Sequence, residues 1–163
     1  MGFDHGKAAA YARKYALNYN TAYHAFDNDC TNFVSQAMLA GGWQMTGPRE
    51  FRARQRDDVW WYGGAWFTRA SYTWGGAQNF YNFVRVSGRG YLVDDSERLS
   101  FGDVVQMRSG GVVYHTMVVT GKEDGDLLLS YHTSDHLDEP LSAIMSRSQS
   151  EFIFWKISAT NSG

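Results

Sequence analysis

Hydrophobic positions along the chain fall into three regimes. Between residues 7 and 17 strong helix formers dominate, and Ala8, Tyr11 and Tyr15 recur at helical spacing. This predicts a first helix, which ends where Asn18-Tyr19-Asn20 opens a polar loop running to Asp29. A second helix is predicted from Cys30. Asn28 and Asp29 are favoured N-cap residues, and Phe33, Val34, Ala37, Met38 and Ala40 form an apolar stripe at three- and four-residue steps. Gly41-Gly42 then supplies a glycine C-cap.

From Trp43 to Tyr91 the period lapses. Gly63-Gly64 and Gly75-Gly76 interrupt it, and only residues 78–84 are expected to hold a short helix. The last third reads as sheet: strands over 103–107, 112–120, 127–132 and 151–158, with Ser109-Gly110-Gly111 and a polar turn over 121–126 between the first three. Helices first and an antiparallel sheet afterwards make the expected class α+β, in one domain over residues 1–163 with no repeat or linker.

Charge narrows the partners. A net charge of −2 gives no electrostatic footprint for nucleic acid or an anionic membrane, and the run from Arg52 to Arg56 reads as a solvated face. No stretch approaches the ~20 apolar residues of a membrane span, and residues 1–6 lack the apolar core of a signal peptide. Aromatic residues make up 16% of the chain. Trp60, Trp61, Trp66 and Trp74 are read as core and loop packing, or alternatively as a wall for substrate, with Trp60, Trp61 and Trp74 as its candidates.

Cys30 is the single cysteine, so an internal disulfide and a multi-cysteine zinc site are excluded. A lone cysteine is by default a small buried hydrophobe. Its place at a predicted helix start changes that, because the helix N-terminus favours a thiolate and offers free N–H groups for an oxyanion. Asn28 and Asp29 are candidate oxyanion or active-site-loop residues.

A nucleophile needs a base, and there are five histidines. His5 lies at the start of the chain, His24 in the loop before Cys30, His115 inside a strand and His132 at the end of the next. If the 121–126 turn sets Thr120 opposite Leu127, His115 faces His132 on one side of the hairpin. The expected set is then Cys30 as nucleophile, His115 as base and His132 as orienting residue. A slip of one residue would bring Tyr131 or Thr133 there instead, and Asp135 is a further candidate for the third position. His132, Asp135 and His136 show no recognised metal-ligand spacing, so no metal and no cofactor are expected.

The run Asp29-Cys30-Thr31-Asn32-Phe33-Val34-Ser35-Gln36, followed by Ala40-Gly41-Gly42-Trp43, resembles the signature of the bacterial putative amidase domain family, which is grouped with the papain-like NlpC/P60 and CHAP cysteine hydrolases. The resemblance extends through Ser71-Tyr72-Thr73-Trp74, Gly102-Asp103-Val104-Val105-Gln106, His115-Thr116 and the run from Tyr131 to Asp135. It implies Cys30 as nucleophile, His115 as base, and a polar third residue on the following strand, for which His132 fits. It also implies a papain-like fold, with the helix that carries the cysteine packed on an antiparallel sheet. Asn32 is read either as packing or as part of the active-site loop, and Gln36 as packing. The implied activity is that of a cysteine amidase or peptidase working through a thioester acyl-enzyme. Its substrate would be a peptide or peptidoglycan-derived amide, and the protein would be exported or associated with the cell wall. The alternatives are a papain-like deamidase or acyl-transferase acting on protein glutamine, and a catalytically inactive wall-binding module.

Overall fold

A computed structural model describes residues 2–63 and 69–160. The first helix, α1 (His5–Tyr15), is N-capped by Asp4, whose carboxylate accepts from the Lys7 N–H at 3.0 Å. Its buried face is built from Ala8, Ala9 and Ala12, small enough for close approach to α2 (Cys30–Gly41). The C-terminus of α2 is closed by Gly42 at φ 118, where the N–H groups of Gly42 and Trp43 reach Leu39 and Met38 carbonyls. A short α3 (Tyr72–Gly75) leads into α4 (Ala77–Ser87), which Gly88 ends in the left-handed conformation.

Six strands follow: β1 (Gly90–Val93), β2 (Val104–Ser109), β3 (Val112–Glu123), β4 (Asp126–Tyr131), β5 (His136–Pro140) and β6 (Glu151–Ile157), with α5 (Leu141–Arg147) before the last. They form one antiparallel sheet in the order β1-β6-β2-β3-β4-β5. The α+β expectation holds.

Alternation along the central strands builds two cores. Val104 and Val118 face α1, α2 and α4 together with Phe33, Trp60, Trp74 and Trp155. Val105, Met107, Met117, Val119 and Tyr131 face the other side, which α5 covers with Leu141 and Ile144. Two bulges interrupt β3. Tyr114 is the extra residue opposite β2, and Thr120 is the extra residue opposite β4. The two ends of the described chain lie side by side, since Gly2 bridges Thr160 and the Phe3 N–H donates to the Ala159 carbonyl at 2.8 Å. Among the described residues no helix is long and apolar enough to cross a membrane.

Candidate active site

Asp29 immediately precedes α2, yet its carboxylate does not cap the helix. One oxygen accepts from the Phe26 N–H (2.8 Å) and the Asn32 amide (2.9 Å), and the other meets His132 Nδ1 at 2.6 Å. His132 Nε2 lies 2.8 Å from the Tyr15 carbonyl, and its ring is stacked between Tyr19 and Phe33 at 3.7 and 4.0 Å. Asn32 extends the network, donating to the His24 carbonyl and accepting from Trp74 Nε1 at 2.7 Å. Buried polar groups of this kind hold a geometry only when every member is satisfied. Here they fix the loop that delivers Cys30, and they tie together the start of α2, the end of α1 and the turn after β4.

Cys30 is the first residue of α2 and is 2% exposed. Its Sγ lies 3.5 Å from Asn28 Oδ1 and 3.7 Å from Thr31 Oγ1, and the backbone N–H groups of Thr116 and Thr31 also reach it. Thr31 and Thr116 hydroxyls meet at 2.9 Å and lock the helix start onto β3. Burial pushes the thiol above its ordinary range and outweighs the Thr31 and Thr116 donors that pull it down. The helix start alone is expected to favour a thiolate; burial acts the other way and favours the neutral thiol.

The hairpin register differs from the expected one. With Thr120 bulged out, Val118 pairs with Ser130 and Val119 with Leu129, so Thr120 does not face Leu127 and His115 does not face His132. His115 sits opposite Met107 on the α5 side of the sheet, its ring edge-on to Tyr131 at 4.9 Å. His132 lies on the α2 side, clamping Asp29. The expected chain of Cys30, His115 and His132 is thus not assembled as one hydrogen-bonded set, and His132 orients Asp29 rather than His115. The backbone of His115 is nevertheless adjacent to the sulfur, because the N–H that approaches Sγ is that of Thr116. Burial, with the nearby charge of His136, pulls the His115 imidazole down to about 4, so it is neutral and basic in form at pH 7.

Among the described residues only two histidines, His24 and His115, have no hydrogen bond at a ring nitrogen. His5 is held by the Ile157 carbonyl, His132 by Asp29 and Tyr15, and His136 by the Ser134 carbonyl. Asp135 accepts from the Tyr19 hydroxyl at 2.8 Å and so braces the ring that covers His132. His132, Asp135 and His136 thus turn to separate partners.

The substrate-wall candidates are corrected. Trp60, Trp61 and Trp74 are each 0% exposed. Trp60 and Trp74 pack on each other at 4.7 Å in the helix-side core, and the Trp60 indole donates to Ser35 Oγ. Aromatic area this large is stabilising when buried, and nothing of it is left to stack on a ligand. Trp66 lies outside the described residues. Gln36 accepts from the Tyr11 hydroxyl at 2.6 Å, a contact between α1 and α2 that fits its packing role.

The concave surface lies elsewhere. A cleft of about 590 Å³ is bounded by His24, Phe26, Asn28, Arg54, Arg69 and Tyr72, among others. Asn28, exposed and in contact with Sγ, is the residue shared by the cleft and the thiol. Sequence reasoning placed Arg54 on a solvated face and assigned Arg69, Thr31 and Thr116 no role of their own. The arginines stood in an aperiodic stretch, and each threonine was masked by a more reactive neighbour.

Comparison with known proteins agrees with the resemblance to the putative amidase domain family. The model of the putative amidase domain family matches residues 2–155. The uncharacterized protein YhbB of Bacillus subtilis (strain 168) is 32% identical over 133 residues, which is 78% of this chain and 40% of that protein. The uncharacterized protein YjcM of the same organism is 30% identical over 148 residues, 90% of this chain and 34% of that protein. The chain therefore spans well under half the length of these relatives. No solved structure matches.

Proposed function

The chain belongs to the putative amidase domain family, and on that premise we propose that it is a cysteine-dependent amidohydrolase with Cys30 as nucleophile and His115 as general base. The observation that carries this reading is the position of Cys30. It begins α2, and its sulfur meets the Thr116 N–H; the preceding residue, His115, carries a neutral imidazole on the α5 side of β3, and the reading requires that ring to swing round toward the sulfur.

In this mechanism substrate displaces the Asn28 side chain from the cleft and uncovers Sγ. The His115 ring, which rests against Tyr131 on the α5 side of β3, has to swing past the strand to reach the sulfur, a rearrangement this mechanism requires. His115 takes the thiol proton as the C–S bond forms. The carbonyl oxygen becomes an oxyanion, stabilised by first-turn N–H groups of α2 that have no partner within the helix. Collapse breaks the C–N bond, and His115 passes its proton to the leaving amine. Water, deprotonated by His115, then cleaves the thioester to release the acid and restore the thiol. A neutral thiol and a neutral imidazole call for proton transfer at the moment of attack, rather than a standing ion pair.

The proposal extends, on the sequence resemblance alone, to a papain-like assignment in the manner of NlpC/P60 and CHAP hydrolases, a peptide amide, including one in cell-wall peptides, as the substrate, and an exported location. Trp60, Trp61 and Trp74, three of the four tryptophans that a wall-binding module would stack on sugars, are buried, which counts against that alternative. The test is incubation of the protein, Cys30→Ala, His115→Ala and His24→Ala with peptidoglycan and with a peptide library, followed by mass spectrometry of the products. Turnover lost in Cys30→Ala and reduced about 10²–10⁴-fold in His115→Ala is the expected result. Undiminished turnover in Cys30→Ala would sink the reading, and loss in His24→Ala alone would move the base to His24.

A further inference from the structure

Building on the amidase reading, we propose that the cleft beside Cys30 selects a substrate bearing a free carboxylate, and that Arg54 and Arg69 are the residues that bind it. Both guanidinium-bearing side chains line the cleft with His24, and no Asp or Glu is among the residues that line it. Elsewhere Arg13, Arg56, Arg108 and Arg147 each meet a carboxylate of the chain. Among the described residues Arg54 and Arg69 meet none; Arg49, Arg52, Arg85, Arg89 and Arg98 meet none either, but only Arg54 and Arg69 line this cleft.

Arg54 is also braced. Its guanidinium carbon lies 3.7 Å from the Phe51 ring centroid and 5.2 Å from that of Tyr72. Stacking engages the faces of the guanidinium plane and leaves the in-plane N–H fork available, which is the edge that matches a carboxylate. Bracing lowers the ordering cost of binding, since the side chain is already held. The start of α4 adds to the same potential. Gly76, its N-cap, offers no side-chain acceptor and lines the cleft with Gly75.

The link to the reaction runs through Asn28, which bounds the cleft and lies 3.5 Å from Sγ. A carboxylate held on the arginines and an amide at Cys30 therefore belong to one substrate molecule, an acidic peptide or acyl amide.

The test uses the Cys30→Ala protein and an N-acetylated tripeptide pool rich in Asp and Glu, supplied as free acids and with every carboxylate amidated. Arginine Nε–H signals are followed by NMR during titration. The acid pool is expected to shift the Arg54 and Arg69 signals saturably and to bind about tenfold or more tightly than the amidated pool. Arg54→Gln and Arg69→Gln should each remove most of that ratio, Arg54→Lys should keep part of it, and about 0.5 M NaCl should weaken it. Equal affinity for the two pools, or acid binding that leaves both arginine signals unmoved, would overturn the proposal. Wild-type turnover of the same pools separates the two readings. Acid binding without cleavage would keep the carboxylate site and sink the amidase, whereas cleavage with no acid preference would do the reverse.

Discussion

Asp29 and His132 meet at 2.6 Å, with side chains only 3% and 2% exposed, across 103 positions of sequence. The contact joins the residue before the nucleophile to the turn after β4. Removing one partner of a buried polar pair leaves the facing atom of the other desolvated without its partner, so Asp29→Asn and His132→Phe are each expected to destabilise the fold by about 1–3 kcal/mol or more. The double substitution should cost less than the two singles together, because the orphaned group is then gone. Urea denaturation of the four proteins measures this cycle, and additive losses would show that the pair is not coupled.

His115 makes stability depend on pH. Its imidazole titrates near 6.5 when unfolded and about 4 when folded, so charging it is disfavoured in the native state. A depressed folded value means stability that is complete above about 6.5 and lost as pH falls through the window to about 4, on the order of 3 kcal/mol in all. His115→Gln should flatten that part of a denaturation-versus-pH curve. An unchanged slope would assign it to other groups.

Because burial raises the Cys30 thiol, alkylation by iodoacetamide should be slow at pH 7 and should climb with pH past the value of a free cysteine near 8.5. Denatured protein, with the same residue released from burial, should react faster at pH 7. A rate plateau reaching down to pH 5 would instead reveal a standing thiolate and contradict the neutral pair described above.

Trp74 tests the polar floor under the active-site loop. Trp74→Phe keeps most of the ring volume but leaves Asn32 Oδ1 without its indole donor, at an expected cost of about 1–3 kcal/mol. The loss should appear in thermal or chemical unfolding and leave affinity for saccharides unaltered, since the ring is fully enclosed. Weakened saccharide binding would restore Trp74 as a surface residue.

How far the sequence disclosed this molecule depended on the range of the forces involved. Both leading helices and the β2, β3, β4 and β6 strands were legible because caps, glycines and hydrophobic period are local. Edge strands β1 and β5 were not, for Tyr91 and Leu92 face solvent, and β5 is mostly polar, with its one large apolar residue, Leu137, exposed. The expected hairpin register failed at two places: the strands close in a tight turn at Asp124-Gly125 that pairs Lys122 with Leu127, and a bulge follows at Thr120. Nothing in the composition around Thr120 marks it as a bulge, although its hydroxyl is taken by Ser130 and Asp138, side chains brought near only by the completed sheet. That single extra residue moved His115 to the other face from His132. Asp29 likewise read as a helix cap, because its true partner lies far along the chain.

The bridge between Gly2 and Thr160 has a consequence for chain connectivity. Residues paired across an antiparallel bridge stand about 5 Å apart, so a few residues of linker would join the two ends without strain. Opening the chain instead at the exposed Asp124-Gly125 turn would yield a circular permutant in which β4 comes first and β3 last, with the Asp29–His132 clamp and the cleft unchanged. In this domain the order in which residues are synthesised and the order in which they meet are separable.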